Sequence, residues 1–294
     1  MTGRGRVAEG PRAGSPALVD GASVALRRAL TTLMGAWAES SLSRPLVGPF
    51  ARRYGVDLSE LDRPLAAYPT LAAFFGRALP AGARPIAADP AAIVAPCDGI
   101  FAHGGTVADG TLVQAKGIRY RLADLVGDAQ TASLFAHASY ATIYLRPGDY
   151  HRVHAPIAGR VLASVHVGGT LFPVHARAAA RIDGLYRRNE RVTTLLESAA
   201  GPLAVVQVGA FIVGSVRLAY AGAPAPGRRT AGVAVHTLSP PAPLARGDEI
   251  GRFALGSTVV VLAQAGVFRA SQLPAPGTRL RMGERLADPG GRRR

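Results

Sequence analysis

Three short segments hold the side chains best suited to chemistry. In Pro96-Cys-Asp-Gly99 a carboxylate, Asp98, precedes a glycine, a pairing that suits a tight hairpin turn as well as a catalytic acid. In Tyr150-His-Arg-Val-His154 two imidazoles, His151 and His154, lie three residues apart. On a helical turn both would reach one point; on a strand they fall on opposite faces. A metal pair is one reading of that spacing, although no H-E-x-x-H frame accompanies it. In Leu255-Gly-Ser-Thr258 a hydroxyl, Ser257, follows Gly256 and opens the apolar run Val259-Val260-Val261-Leu262. This serine is either a backbone-bonded hydroxyl or a nucleophile. As a set, Asp98, His154 and Ser257 supply three roles: an acid to orient the imidazole, a base to take the hydroxyl proton, and a nucleophile. The setting is not that of a hydrolase, whose serine stands at an exposed turn such as G-x-S-x-G. Ser257 instead enters a strand and faces its own preceding carbonyl.

The elements that must position these side chains divide the chain into a helical third and a β-rich remainder. Residues 1–20, rich in Gly, Arg and Pro without an apolar stretch, read as a disordered start with no secretory signal. Residues 21–80 read as a helical, membrane-associating region. Leu26, Leu30, Leu33, Met34 and Trp37 recur at three- and four-residue spacing and share a face away from Arg27 and Arg28. That face suits lipid and the protein's own core equally well. Further helices are expected over about residues 42–54 and 71–79, and a Pro-rich linker over 80–90 ends the helical part. From residue 91 to 288 short Val-, Ile- and Thr-rich runs between Gly and Pro predict a mainly β catalytic domain, with brief helices near 122–126 and 129–136. The apolar window 199–216 is broken by Gly201, Pro202, Gln207, Gly209 and Gly214, which favours two buried strands over a membrane span. Residues 289–294 form a basic tail. The expected class is α+β: N-terminal amphipathic helices followed by a mainly β, barrel-sandwich-like domain. An internal echo supports it, since Ala95-Pro-Cys-Asp-Gly99 resembles Ala155-Pro-Ile-Ala-Gly159, and both copies are expected to form β-hairpins.

Composition narrows the chemistry. The 294 residues carry 34 basic and 19 acidic side chains, a net charge of +15, and 48% are hydrophobic, enough for a sizeable core. Cys97 is the only cysteine, which excludes an intrachain disulfide and a thiolate metal centre. Lys116 is the only lysine, so a pyridoxal phosphate enzyme, or a biotin or lipoate carrier, has one candidate residue. A carrier lysine stands at a hairpin tip, and Gln114-Ala-Lys-Gly-Ile-Arg119 lacks that frame. The positive charge calls for an anionic partner, and with no nucleic-acid-binding motif beside the arginine pairs, a membrane surface is expected rather than nucleic acid.

From about Leu30 to Leu286 the sequence resembles the bacterial membrane-associated phosphatidylserine decarboxylases. The resemblance is carried, in order, by Thr70-Leu-Ala-Ala-Phe-Phe-Gly-Arg-Ala-Leu79, Arg84-Pro-Ile86, Pro96-Cys-Asp-Gly99, Gln114-Ala-Lys-Gly117 and Leu145-Arg-Pro-Gly-Asp-Tyr-His-Arg-Val-His154. Gly169-Thr-Leu-Phe-Pro-Val174, Asn189-Glu-Arg-Val192, Val208-Gly-Ala-Phe-Ile-Val-Gly-Ser215 and Gly251-Arg-Phe-Ala-Leu-Gly-Ser-Thr258 complete it. Cys97 and His175 depart from the pattern. The resemblance implies that His154, oriented by Asp98, deprotonates Ser257, which attacks the Gly256 carbonyl and cuts the chain. Residue 257 then becomes a pyruvoyl group, the cofactor, at the head of an α chain of residues 257–294, with residues 1–256 as the β chain. The pyruvoyl ketone would form a Schiff base with phosphatidylserine and, after loss of carbon dioxide, release phosphatidylethanolamine. His151 or His154 is the implied acid that reprotonates the α-carbon, and no metal is implied. The expected location is peripheral, on the cytoplasmic face of an anionic cell membrane, and a homo-oligomer is left open. Alternatives are a pyruvoyl-dependent decarboxylase of another amino acid or related lipid, a binding module without catalysis, and a zinc hydrolase using His151 and His154.

Overall fold

The computed structural model describes residues 29–30, 33–113, 119–169, 172–174, 182, 184–210, 216–224, 232–253 and 257–290. The readings made for residues 1–28, Lys116, His175, Gly256 and residues 291–294 fall outside these. Residues 33–39 are helical. A 3-10 turn, Ser41–Leu46, leads into the helix Val47–Tyr54, which Gly55 closes in the left-handed region at φ 61°. A second helix, Leu71–Phe75, starts at Thr70, whose Oγ1 accepts from Ala73 N at 3.0 Å. It stops four residues short of the expected end. Gly76 caps it, and Pro80 drives the preceding residue out of helical geometry. Val47, Ala51, Val56, Tyr68 and Phe74 form a small core of their own under these helices.

Among the described residues fifteen strands follow. They are β1 (Ile93–Val94), β2 (Gly99–Thr106), β3 (Thr111–Val113), β4 (Arg119–Arg121), β5 (Ser139–Leu145), β6 (Arg152–His154), β7 (Gly159–Val167) and β8 (Arg191–Ser198). β9 (Gly201–Gly209), β10 (Val216–Leu218), β11 (Val233–Leu244), β12 (Glu249–Phe253), β13 (Ser257–Ala263), β14 (Arg279–Leu280) and β15 (Arg285–Ala287) complete the set. The main sheet runs β11-β7-β8-β9-β13-β5-β2-β14 and does not close into a barrel; β10-β12-β6, β1-β15 and β3-β4 are smaller sheets. The fold is therefore α+β. β13 lies inside the main sheet between β9 and β5, and every residue of it is buried. An unbroken apolar run is what a strand covered on both faces requires. The short helix Leu122–Val126 falls where expected, and Ala129–Ser133 begins where expected but ends three residues early.

The two Ala-Pro-x-x-Gly copies are not hairpins. Each carries the chain from one sheet into another: β1 pairs with β15 while β2 pairs with β5 and β14, and β6 pairs with β12 while β7 pairs with β8 and β11. The copies instead pair with each other, Val94 N donating to Pro156 O at 2.9 Å and His154 N to Pro96 O at 2.7 Å. The echo extends to the loops behind them. Ala155 N donates to Asp248 O and Gly247 N to Ala155 O; at the equivalent places Ala95 N donates to Glu284 O and Gly283 N to Ala95 O. Pro fixes the turn and removes a donor, which forces the chain off its first sheet in both copies.

Candidate active site

Ser257 is the first residue of β13, held opposite Gly209 on one side and Leu145 on the other. It is fully buried, and its Oγ has no hydrogen-bond partner among the described residues. A buried hydroxyl left unpaired costs about 1–3 kcal/mol, so this is an expensive place for a structural serine. Gln207 shares its predicament. It lies opposite Val259, hence on the same face of the sheet as Ser257, and both its amide atoms are buried without partners among the described residues.

His151 is fully buried on the segment between β5 and β6. Its Nδ1 lies 2.7 Å from Asp149 O, which makes Nδ1 the donor and leaves the Nε2 lone pair without a partner among the described residues. The Phe75 ring, at a centroid distance of 3.9 Å, covers it. Burial pushes this imidazole down to about 3, so it is neutral at ordinary pH. The segment is tied to the strand that precedes Ser257, since Phe253 N donates to His151 O at 3.1 Å.

His154 ends β6. Its Nδ1 donates to Gly247 O at 2.8 Å and its Nε2 accepts from the Tyr150 hydroxyl at 3.0 Å. Burial lowers its pKa as well. Asp98 does not hydrogen-bond to it, contrary to the expected pairing. Its carboxylate is taken by Arg84, whose Nε and Nη2 approach to 2.9 and 2.6 Å, and by Met282 N at 2.8 Å. The reason is charge: a guanidinium in reach of a buried carboxylate is a stronger partner than a neutral imidazole. Glu60 holds Arg84 from the other side at 2.8 Å. Burial works to lower the Arg84 pKa, but the bonds to Asp98 and Glu60 outweigh it and raise it. Asp98 thus sits behind His154, joined to it through the paired segments at residues 96 and 154, and reaches it by its field.

Arg84, Tyr150, Gly247, Phe75 and Gln207 are the site residues that type and spacing did not single out. Phe75, Arg84 and Tyr150 do stand inside the segments Thr70-Leu-Ala-Ala-Phe-Phe-Gly-Arg-Ala-Leu79, Arg84-Pro-Ile86 and Tyr150-His-Arg-Val-His154. Gly247 acts through its backbone, which no side-chain pattern reveals. Among the described residues no group of three or more His, Cys, Asp or Glu side chains stands close enough to hold a metal ion.

The phosphatidylserine decarboxylase family model matches residues 71–288, a span that includes Phe75, Asp98, His151, His154 and Ser257. The phosphatidylserine decarboxylase proenzyme of Anaeromyxobacter sp. (strain K) is 43% identical over 264 residues, covering 89% of this chain and 93% of that one. That of Halorhodospira halophila is 46% identical over 254 residues, covering 85% and 84%. That of Bordetella avium is 42% identical over 262 residues, covering 87% and 89%. With a family model matching residues 71–288 and relatives matching along most of its length, the chain belongs to the phosphatidylserine decarboxylase family.

Proposed function

We propose that the protein decarboxylates phosphatidylserine to phosphatidylethanolamine, using a pyruvoyl group that it makes from its own Ser257. The observation that carries this is the Oγ of a fully buried serine that has no partner among the described residues. Ser257 Oγ attacks the Gly256 carbonyl carbon while its proton passes to a neutral imidazole. The peptide C–N bond breaks, the nitrogen of residue 257 takes the proton, and an ester remains. Loss of the residue 257 α-proton and cleavage of its Cβ–O bond release the Gly256 carboxylate and leave dehydroalanine. Its imine tautomer takes up water and loses ammonia. The pyruvoyl ketone supplies the electron sink that decarboxylation of an α-amino acid needs. The relatives' shared name, proenzyme, supports processing of this kind.

His154 is assigned as the cleaving base, with its tautomer fixed by Gly247 O and Asp98 stabilising the charge it gains. His151 is assigned to turnover. A ring that burial holds neutral readily surrenders a proton it acquires, which suits an acid that protonates the α-carbon. A second reading exchanges the two histidines. It is favoured by the His151 Nε2 lone pair, which has no partner among the described residues, whereas that of His154 is occupied by Tyr150.

Intact-mass analysis tests both levels. The wild type should give chains of residues 1–256 and 257–294, the second with a blocked N-terminus, and Ser257→Ala should stay whole. Two chains from Ser257→Ala would end the mechanism. His154→Ala uncut with His151→Ala cut but inactive supports the first assignment; the reverse supports the exchange. Carbon dioxide release from vesicles of phosphatidylserine, absent with free serine, tests the substrate. The substrate stays in a bilayer, and the exposed apolar side chains of the helical region suit peripheral attachment to an anionic cytoplasmic leaflet.

A further inference from the structure

The small sheet β10-β12-β6 carries three arginines in one register, Arg217 opposite Arg252 and Arg252 opposite Arg152. Directly opposed residues point to the same face, and like charges so placed repel. That face looks onto the segment after the Leu71–Phe75 helix: Arg152 Nε donates to Gly76 O at 3.2 Å and Arg77 O at 3.1 Å, and the Arg252 stem lies against Gly76. Between them is a cleft of about 430 Å³, to which the buried Arg77 and Arg63, the latter paired with Asp62 in the same wall, add two further guanidinium groups. The compensation is incomplete. Arg152 pairs with Glu249 and Arg217 with Glu39, but Arg252, in the middle of the ladder, pairs with no carboxylate among the described residues.

We infer that the Arg217–Arg252–Arg152 ladder is the seat of a phosphodiester, that of the lipid substrate. The inference rests on the proposed lipid decarboxylase reading and adds to it the residues that select a phosphorylated headgroup over free serine. Position supports it at both ends of the cleft. At the inner end Asp98, His151, His154 and Ser257 do not line the cleft but its wall adjoins them: Arg152 follows His151 in the chain, Phe253, next to Arg252, donates its backbone N–H to His151 O, and Gly76 follows Phe75, whose ring covers His151. Only three bonds separate the phosphorus of a phosphoserine headgroup from its α-carbon, so a phosphate seat must lie beside the reacting centre. At the outer end Glu39 closes the 33–39 helix, on which Leu33 and Met34 are exposed. Acyl chains in the membrane would lie on that side. Arginine suits the task because its planar donors grip two phosphate oxygens at once.

The test uses cleaved wild type and Arg252→Gln, titrated by phosphorus NMR with glycerophosphocholine, with inorganic phosphate and, as competitor, with free serine. Glycerophosphocholine carries the phosphodiester but no primary amine, so its binding does not depend on a pyruvoyl group. The expected result is binding that serine does not displace and that Arg252→Gln weakens about 10- to 100-fold, the loss of a charged hydrogen-bonding partner. Arg252→Lys should lose less. The KM for dihexanoyl phosphatidylserine should rise by the same factor as binding weakens, with kcat nearly unchanged. Equal binding by Arg252→Gln overturns the inference, and so does a fall in kcat at constant KM. Binding of inorganic phosphate without glycerophosphocholine overturns it in favour of a free-phosphate site. If Arg252→Gln does not fold, Arg217→Gln carries the test, with weakening of about 3- to 10-fold expected and unchanged binding counting against it. Intact binding with no carbon dioxide release in any variant would condemn the activity and leave the seat standing.

Discussion

Asp98, His154 and Ser257 could be picked from the sequence by residue type, but their partners could not. Arg84 meets Asp98 across 14 residues and Gly247 meets His154 across 93, and such contacts exist only once the chain is folded. The Arg84–Asp98 pair has both side chains only 6% exposed, and breaking a buried ion pair from one side costs about 3–5 kcal/mol. Arg84→Gln should therefore unfold at clearly lower urea and slow self-cleavage much as Asp98→Asn does; native stability in Arg84→Gln would show that Asp98 is solvated instead. His151 gives a pH dependence. Its ring sits at about 3 when folded, against about 6.5 in an unfolded chain. Between these values the unfolded state binds a proton that the folded state refuses, so stability is complete above about pH 6.5 and falls as the pH drops toward 3. The fall amounts to at most about 1.4 kcal/mol per pH unit for this group. His103, pushed down to about 4 by burial, acts in the same direction. Urea unfolding between about pH 7 and 5 should fall less steeply in His151→Gln than in the wild type. Equal slopes would mean that the folded ring takes up the proton.

At the scale of elements the internal echo was legible and its meaning was not. A short Ala-Pro-x-x-Gly motif looks local, so a local hairpin is the natural expectation. What the sequence cannot display is that Pro96 and Pro156 offer their carbonyls to each other's segments, making one two-fold unit out of stretches 60 residues apart. Ile86 marks its centre, because a Cβ added to Gly247 or Gly283 would meet the Ile86 Cδ1 at 2.8 or 3.0 Å. Both glycines have left-handed backbones, at φ 91° and 88°. The copies differ in what their carbonyls hold: Gly283 O accepts from Ala87 N, whereas Gly247 O accepts from His154 Nδ1. One half of the repeat carries the carboxylate Asp98 and the other has acquired the imidazole. Gly247→Ala and Gly283→Ala should each cost of order 1–3 kcal/mol for a strained backbone, Gly283→Ala the more because its Cβ would also meet Pro85 O at 2.6 Å, but only Gly247→Ala should markedly retard self-cleavage. Gel densitometry of chain appearance over time compares them, and equal retardation would show that strain in the repeat, and not the His154 contact, controls the reaction.

For the molecule as a whole, the N-terminal region is wedged into the β domain at one end and bare at the other. Phe75 covers His151, Arg77 donates to Gly148 O at 2.9 Å, and Glu60 braces Arg84, so residues 60–84 are part of the site. Amphipathicity could not say whether the face of Leu30, Leu33 and Met34 meets protein or lipid, because both burials look alike in sequence. In the structure these residues are exposed, Leu33 by 67%, whereas Trp37 is half-buried and Ala38 is buried. Leu42 (76%), Leu46, Tyr54 and Leu58 extend the exposed apolar surface, with Arg52 and Arg53 exposed beside it. No helix among the described residues is long and apolar enough to cross a membrane. Burying a leucine fully is worth about 1.5–3 kcal/mol, and an arginine near anionic headgroups about 1 kcal/mol, so the apolar contacts should dominate attachment and salt should weaken it only in part. The double variant Leu33→Glu, Leu42→Glu should remain in the supernatant when vesicles containing phosphatidylserine are sedimented, and should turn over bilayer substrate poorly. Its self-cleavage should be complete, because neither position touches Asp98, His151, His154 or Ser257, and its urea midpoint should be close to that of the wild type, as for most exposed substitutions. Retained sedimentation would move the membrane contact to another surface, with the remaining exposed apolar side chains, Leu134, Val233 and Val235, the next to replace.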